Sequence, residues 1–351
     1  MEQKSKLTII VDGNWLLMSR WAVLNGKYND DTLMCKDLQK LLVRSMIKLL
    51  NDIPEIDNII FVADGGSWRN TLDIPSCLDE EYKGNRVLNP DVNWDMIFEY
   101  YTEFTNILAE HNITVTREIG VEGDDWCWYW STKLNKEGTN VIIWSMDKDL
   151  TQLVKTDSET GCFTVCWNKN AVTLEDVDYS NGSELDFFFS NLNKSTNQKC
   201  LHSIISRAKN VIKINPKHIV IDKIIRGDNG DNIFPIFVKN STSNPEKKYR
   251  VAQKDLNDNL NIHNTDEIKS YINNLLTSKT YAGKVNKSFE DIFEHFNYNV
   301  KLVELQRDNY PQDILDIMET HNNYNVNKDL KTVSESIETK NNDVIDIINL
   351  I

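Results

Sequence analysis

Acidic residues recur where the short apolar runs of this sequence end. TIIV, IIFVA and NVIIWSM each lead directly into an aspartate, and ITVTRE is followed within a few residues by VEGDDW. A further group lies in RGDNGDN. The carboxylates concerned are Asp12, Asp64, Glu122, Asp124, Asp147, Asp149, Asp228 and Asp231. Any one of them is adequately explained as a helix cap or a solvated loop residue. Recurrence at four strand ends is poorly explained in that way.

Such carboxylates would do chemistry together if the strands are parallel, because the carboxyl ends of parallel strands open on one edge of a sheet. Like charges held close together raise one another's pKa values unless cations compensate them. Oxygen ligands without a nearby His or Cys favour Mg²⁺ or Mn²⁺ over zinc. The sequence therefore predicts a site for two divalent ions, an arrangement suited to phosphodiester hydrolysis.

The elements that would position this site alternate between strand and helix in the first half of the chain. Apolar runs predict strands at 7–12, 58–64, 113–118 and 140–146, with an edge strand at 163–167. Helical spacing of apolar residues predicts helices at 37–52, 94–112 and about 123–136. Continuous apolar strands between helices indicate an α/β fold with a parallel sheet covered on both faces.

The composition changes after about residue 180, where Asn, Lys and Ser become common. We expect a catalytic domain at 1–180, a helical C-terminal domain at 181–320 and an Asn-rich flexible tail at 321–351. The Trp-rich stretch WCWYW (126–130) is interpreted as core, and Asp125 as a helix cap or a solvent-facing residue.

Global composition sets further limits. Hydrophobic residues make up 40% of the 351 residues and charged residues 26%, as in ordinary globular proteins. No apolar run reaches the ~20 residues of a membrane span, and the start of the chain lacks a signal-peptide pattern, so we expect a cytoplasmic protein. A net charge of −14 argues against a general nucleic-acid binder but allows a local basic strip. The six scattered cysteines predict no disulfides, and a zinc site at Cys162 and Cys166 is disfavoured.

VDGNW, VADGGSWR, EYKGNR, VEGDDW, SMDKDLTQLV and RGDNGDN occur in an order that resembles the flap endonuclease / 5′→3′ exonuclease family, closest to the T-even bacteriophage ribonuclease H branch. The resemblance covers roughly residues 7–235. It implies a PIN-like 5′-nuclease core, a helical arch at about 65–95 and a helical nucleic-acid-binding C-terminal domain. It also implies two Mg²⁺ ions, with Mn²⁺ able to substitute. By resemblance, the first ion is held by Asp12, Asp64, Glu122, Asp124 and Asp147, and the second by Asp149, Asp228 and Asp231.

The resemblance also assigns Lys83 and Arg86 to a basic pair of the arch that contacts the scissile phosphate. Their spacing would place both on one face of a helix. Without the acidic cluster, ordinary solvated charges beside Glu80 and Glu81 would be the preferred interpretation. Arg69 could serve the same electrostatic role. Tyr82 could stack on a base, and buried packing explains it as well.

One departure from the family follows RGDNGDN. Where the family carries a Gly-rich turn that grips duplex DNA, often with K⁺, this chain reads IFPIFVKNSTSNPEKKYR. The potassium site is therefore in doubt. Lys247, Lys248 and Arg250 could contact phosphates instead, or could form a solvated loop.

The predicted function is a divalent-metal-dependent, structure-specific 5′ nuclease that removes flaps and RNA primers during replication, such as those of Okazaki fragments. Its partners would be DNA and RNA–DNA duplexes with 5′ ends or flaps, in the host cytoplasm if the protein is viral. A sliding clamp or single-strand-binding protein could dock on the C-terminal DVIDIINLI, which could also pack on the protein itself. The alternatives are a non-catalytic replication scaffold with the same fold, a PIN-like endoribonuclease and, more weakly, a haloacid-dehalogenase-type phosphatase.

Overall fold

The computed structural model describes residues 6–78, 81–157, 159–168, 171–176, 196–240, 248–285 and 287–348. The chain divides into two compact units. The larger unit comprises 1–66, 88–214 and 316–351, and the smaller comprises 67–87 and 215–315. This differs from the predicted division at residues 180 and 320. Segment 67–87 belongs to the smaller unit with the C-terminal helices, and segment 316–351 belongs to the larger unit with the sheet.

Strands and helices alternate through much of the first half of the chain. This half contains β1 (Lys6–Asp12), α1 (Gly13–Leu24), α2 (Asp31–Asp52), β2 (Asn58–Val62), α3 (Trp94–Glu110), β3 (Thr114–Thr116), α4 (Gly123–Lys136), β4 (Thr139–Trp144), β5 (Lys155–Thr156), β6 (Phe163–Asn168) and β7 (Ala171–Glu175). The second half contains α5 (Thr196–Arg207), β8 (Asn210–Ile214), α6 (Pro216–Arg226), β9 (Lys239–Asn240), β10 (Lys248–Tyr249), α7 (Thr265–Thr277), α8 (Phe289–Val303), α9 (Gln312–Thr320) and α10 (Leu330–Ile348). Short 3₁₀ helices lie at Trp68–Thr71, Asp149–Leu153, Gln253–Asp255 and Arg307–Asn309.

The central sheet has the strand order β3-β2-β1-β4-β6-β7-β8, and β5 pairs with β6. The strands from β3 to β6 along this order pair in parallel, as predicted. Strand β6 runs antiparallel to both β5 and β7. The sheet is therefore mixed and mostly parallel. Strand β6 lies inside the sheet rather than at its edge, because β7 and β8 extend the sheet beyond it.

Register decides which strand ends meet. Asp12 of β1 pairs with Val62 of β2, and Val11 pairs with Trp144 of β4. The three neighbouring strands thus finish at nearly the same level. Residues that directly follow them come together at one edge of the sheet, as the sequence predicted.

The last helix corrects one expectation. Residues 330–348 form α10, and its Leu330, Val333 and Ile337 are buried in the core of the larger unit. Their spacing places three apolar side chains on one helical face. The Asn-rich composition predicts a flexible tail, but this apolar face is enough to fix the helix. Only the backbone of 342–348 is described, so every side chain of DVIDIINLI (343–351) lies outside the described part of the chain.

The smaller unit packs α6, α7 and α8 around their own core, which includes Ile224, Ile272 and Phe296. Segment 67–87 belongs to this unit and contributes Tyr82 to that core. Its described residues contain a 3₁₀ helix at Trp68–Thr71 and turns, but no α-helix, in contrast to the predicted helical arch.

Cysteine pairing and helix hydrophobicity were also predicted from the sequence. All six cysteines lie in the described part of the chain, and none of them forms a disulfide. None of the helices among the described residues is long and apolar enough to cross a bilayer.

Candidate metal centre

Asp12 is the last residue of β1 and the N-cap of α1, and it is only 8% exposed. One carboxylate oxygen accepts a hydrogen bond from the Trp15 amide (3.0 Å). The other accepts one from the hydroxyl of Ser145, the first residue after β4 (2.7 Å). Hydrogen bonds from α1 and from the residue after β4 thus fix this carboxylate beside the carboxyl ends of β1 and β4.

Asp64 is brought to the same edge by the loop after β2. Its Oδ1 accepts a hydrogen bond from the amide of Gly123 at the start of α4 (2.6 Å). The Gly65 amide donates to the Val121 carbonyl (2.9 Å), and the Gly120 amide donates to the Gly65 carbonyl (3.0 Å). These bonds connect the loop after β2 to the loop after β3. A side chain cannot be added at Gly65, since its Cβ would lie 1.8 Å from the Glu118 carbonyl oxygen.

Glu122, Asp124 and Asp125 begin α4, and one carboxylate oxygen from each lies within 4.8 Å of the others. Asp125 is fully buried and accepts a hydrogen bond from the Glu122 amide (3.1 Å). Asp124 in turn accepts one from the Asp125 amide (2.8 Å). Asp125 therefore caps the helix, in agreement with one of the two interpretations of the sequence, and this capping orients the other two carboxylates.

Asp147 and Asp149 follow β4 in a chain of local hydrogen bonds. The Asp147 amide donates to Ser145 Oγ (2.9 Å), and Asp147 Oδ1 accepts from the Asp149 amide (2.9 Å). Ser145 therefore connects Asp12 with Asp147. Sequence reasoning missed Ser145, although its position directly after a buried strand between two predicted ligands was an available signal.

The electrostatics of this edge fit a divalent cation. Burial raises the pKa of Asp12 to about 7, and the negative charges of Asp64 and Asp147 add to the rise. The hydrogen bonds from Ser145 and Trp15 lower the pKa but do not cancel this effect. A buried carboxylate that resists ionisation beside other carboxylates needs positive charge. The nearby donors are carboxylate oxygens, which is the ligand chemistry of hard cations such as Mg²⁺ or Mn²⁺. The residues present therefore fit the predicted first metal.

The predicted second ligand set is divided between the two units. Asp149 belongs to the larger unit, whereas Asp228 and Asp231 belong to the smaller. Their convergence on one ion stays a prediction. Within the smaller unit, Gly227 (φ +69°) turns the chain after α6, and Asp228 and Ile233 exchange two backbone hydrogen bonds of 2.8 Å each. This tight loop holds both aspartates in place.

Lys223 on α6 is a second residue that sequence reasoning missed. Its ammonium group lies 2.6 Å from Asp231 and 3.2 Å from Asp228. Burial opposes ionisation of Asp231, but Lys223, helped by Lys83 and Arg86, holds the pKa of that carboxyl below its ordinary value. The signal in the sequence was a lysine placed one helical turn before the acidic loop.

The basic pair of segment 67–87 docks on this loop. The Lys83 amide donates to the Asp231 carbonyl (2.8 Å), and the Arg86 guanidinium is paired with the Asp231 carboxylate. Lys83 has φ +56°, and the Arg86 amide donates to the Lys83 carbonyl (3.0 Å). The two side chains therefore project from a turn, which corrects the expectation that they share one helical face. The Arg86 side chain is 57% exposed.

Two predicted nucleic-acid contacts are contradicted by burial. Arg69 is 1% exposed; its Nε donates to the Leu302 carbonyl (3.0 Å), and its guanidinium lies over the Trp68 ring. Tyr82 is 7% exposed within the core of the smaller unit. Neither side chain presents a surface to a phosphate or a base, so buried packing explains both.

The third predicted basic cluster is only partly described. Arg250 donates to the Gly227 carbonyl (3.3 Å) and is hydrogen-bonded to the Asn229 side chain. It thus stabilises the acidic loop. Lys247 lies outside the described residues, and for Lys248 only the backbone is described. A phosphate contact by these residues stays a prediction.

Comparison with known proteins gives a family match at the sequence level. The family model described as "5′-3′ exonuclease, N-terminal resolvase-like domain" matches residues 7–180. The 5′-3′ exonuclease of Buchnera aphidicola subsp. Schizaphis graminum is 31% identical over 158 residues, which are 43% of this chain and 50% of that protein. The enzyme of subsp. Acyrthosiphon pisum is 29% identical over 153 residues, again 43% and 50%. The chain thus spans about half the length of the curated relatives it matches.

Solved structures extend the likeness to nearly the whole chain. A bacteriophage T5 protein co-crystallised with metal ions has 17% sequence identity and a TM-score of 0.52, covering 95% of this chain and 99% of that one. The T5 5′-exonuclease with bound divalent zinc gives 18% identity and a TM-score of 0.51 over the same shares. At this identity, the likeness shows a shared PIN-like fold.

Proposed function

We propose that this chain, whose residues 7–180 match the 5′-3′ exonuclease family model, is a member of the flap endonuclease / 5′→3′ exonuclease family and a divalent-metal-dependent, structure-specific 5′ nuclease. The observation that carries this proposal is the meeting of Asp12, Asp64 and Asp147 with the acidic start of α4 at one sheet edge. A non-catalytic scaffold would have no need to keep a carboxylate whose ionisation is opposed by burial and, to a smaller extent, by neighbouring negative charges.

When bound, divalent ions supply activation of the attacking water and compensation of charge at the phosphate and leaving oxygen. We assign Asp12, Asp64, Glu122, Asp124 and Asp147 to the first ion, and Asp149, Asp228 and Asp231 to the second. Mg²⁺ is the proposed ion and Mn²⁺ its substitute, in agreement with the oxygen donor set.

The protein's own residues orient these ligands and the phosphate. Ser145 holds Asp12 and Asp147 at fixed positions through its hydroxyl. Lys223 keeps Asp231 ionised. Lys83 and Arg86 are the proposed phosphate contacts, since cations aimed at developing negative charge stabilise a transition state. In the described structure Arg86 is paired with Asp231 and would have to exchange that partner for the phosphate.

We propose DNA and RNA–DNA duplexes with 5′ ends or flaps as substrates, and primer removal in replication as the use of the activity. A T5 flap endonuclease with a similar fold has been crystallised in a complex with DNA and metal ions, which supports the proposal. The smaller unit, with its helices and Arg250, is the proposed duplex-binding part. The ribonuclease H specialisation and a viral origin rest on the resemblance of the motifs.

Docking of a sliding clamp or a single-strand-binding protein on the C-terminal residues is a separate proposal. It is supported only by the apolar character of DVIDIINLI. A pull-down with and without residues 343–351 tests it, and unchanged capture of the partner would remove it.

The test of function uses a 5′-labelled flap substrate and a nicked RNA–DNA duplex, incubated with Mg²⁺ or with EDTA. We expect release of 5′ products in Mg²⁺ only, lost in Asp147→Asn while duplex binding persists. Asp91→Asn, which replaces an exposed loop carboxylate of the same unit, serves as the matched control and should cleave normally. Binding without cleavage in Mg²⁺ and Mn²⁺ would support the scaffold instead.

A further inference from the structure

A cavity of about 600 Å³ lies beside Asp64, entirely within the larger unit. It is lined by Asn14, Asp64, Gly65, Gly66, Phe98, Tyr101, Arg117, Glu118 and Ile119. Small-ligand sites typically measure about 300–1,000 Å³. The cavity therefore has room for one nucleotide next to a metal ligand. Of the predicted metal ligands, only Asp64 lines it.

Arg117 supplies fixed positive charge at this cavity. Its Nε donates to the Asp64 carbonyl (3.2 Å), and its Nη1 donates to Thr102 Oγ1 on α3 (2.9 Å). Within the described residues, these bonds leave the Nη2 group without a hydrogen-bond partner. The side chain is exposed and its orientation is set by the two bonds. A guanidinium held in this way is suited to a phosphate oxygen.

The carboxylate that lines the cavity beside Arg117 already has a partner. Glu118 also lines the cavity, but its Oε1 lies 3.0 Å from Nε2 of His321. Two further groups can hydrogen-bond a ligand. Asn14 uses its Oδ1 to accept from the Asp64 amide (3.3 Å), which leaves its Nδ2 as a donor. The buried Tyr101 hydroxyl has no hydrogen-bond partner among the residues described.

Aromatic rings lead along α3 to the cavity. Trp21 and Trp94 have ring centroids 4.7 Å apart, and Trp94 and Phe98 are stacked at 6.0 Å with an interplanar angle of 29°. Phe98 is 37% exposed and forms part of the cavity wall. Aromatic rings at the surface next to a cation are the usual elements of a single-strand site, because every base can stack on them.

We propose that this cavity holds an unpaired nucleotide of the substrate strand, adjacent to the scissile phosphate, with its base on Phe98 and its phosphate on Arg117. The inference rests on the proposed nuclease function and adds a subsite to it. It explains how a chain with a net charge of −14 can select single-stranded ends. Selection comes from stacking and one fixed guanidinium rather than from a broad basic surface.

The test compares binding of a duplex carrying a 5′ single-stranded overhang with binding of the blunt duplex, using the full chain in Ca²⁺. The variants are Phe98→Leu and Arg117→Ala, with Phe98→Trp as the conservative partner of the first. Arg44→Ala removes an exposed arginine of α2 and is the charge control. A second measurement places 2-aminopurine at the first unpaired position and follows its fluorescence on the unaltered protein.

Stacking of one base on an aromatic ring corresponds to about 5- to 150-fold in affinity. We expect wild-type protein to prefer the overhang, and Phe98→Leu and Arg117→Ala to reduce that preference by at least 5-fold. Phe98→Trp and Arg44→Ala should retain most of it. The 2-aminopurine should be quenched by wild type and not by Phe98→Leu. Thermal midpoints of the variants check that they are folded.

Unchanged preference in both disruptive variants, or an unquenched 2-aminopurine on wild type, would overturn the subsite. Cleavage of a 5′-labelled flap by wild type in Mg²⁺ is measured alongside. If wild type cleaves the flap but the variants bind the overhang as wild type does, only the subsite is refuted. Variant-sensitive binding without cleavage refutes the nuclease proposal while the subsite stands.

Discussion

The raised pKa of Asp12 has a measurable consequence for stability. Burial and the neighbouring Asp64 and Asp147 raise this pKa from 3.8 to about 7. Each pKa unit corresponds to ~1.4 kcal/mol, so ionised Asp12 costs the metal-free fold ~4 kcal/mol. The folded state then binds more protons than the unfolded state between these pKa values. Its stability is highest below the unfolded value and falls as pH rises through the folded value.

We therefore expect Asp12→Asn to be stabilising in EDTA at alkaline pH. Relative to wild type, the variant's free energy of unfolding should increase by about 2–3 kcal/mol between pH 5 and pH 8, because wild-type Asp12 ionises in the folded state over this range. The amide has a similar size, and Ser145 can rotate its hydroxyl to suit it. Urea unfolding of metal-free protein at several pH values measures the difference.

Mg²⁺ should offset much of this stability difference. A ligand at 100 times its dissociation constant stabilises a folded protein by ~2.7 kcal/mol, and wild type should gain this while Asp12→Asn gains less. Asp91→Asn controls for the loss of a charge at an exposed position. If wild type and Asp12→Asn show parallel stability curves from pH 5 to pH 8 in EDTA, the electrostatic explanation of this site is wrong.

Three further substitutions test other parts of the molecule. Gly123→Ala would place a Cβ 2.8 Å from Asp64 Oδ1, so flap cleavage should fall at least ~10-fold, equivalent to 1.4 kcal/mol, with little change in thermal midpoint; normal cleavage would contradict the proposed position of Asp64. Lys223→Met removes the buried partner of Asp231 and should destabilise the smaller unit by ~3–5 kcal/mol, measured by urea unfolding; a neutral result would show that Asp231 finds another partner. Ile337→Ala opens a cavity under α10 and should cost ~2–5 kcal/mol, whereas a flexible tail would leave the unfolding midpoint unchanged.

Local sequence patterns were enough to predict the parallel strands β1 to β4 and most of the larger unit's acidic edge, but not β5, β7 or β8. Buried parallel strands have continuous apolar sequences, so each strand and the aspartate that follows it can be recognised from a short stretch of sequence. Asp12, Asp64 and Asp147 were found for this reason. Their convergence followed from one general rule about the carboxyl ends of parallel strands, and the register of β1 with β2 and β4 bears it out.

Which polar and aromatic residues are buried depended on the packing of distant segments. Arg69 is held by a carbonyl 233 positions away along the chain, and Tyr82 is buried by helices that follow residue 215. A basic or aromatic residue has the same local sequence whether it faces solvent or a core, so the motif could not separate the two cases. The same limit hid the helix at 330–348, whose Asn-rich sequence acquires order because α2 and α3 cover its apolar face. Local pattern specifies an element, but burial depends on segments that are distant in sequence.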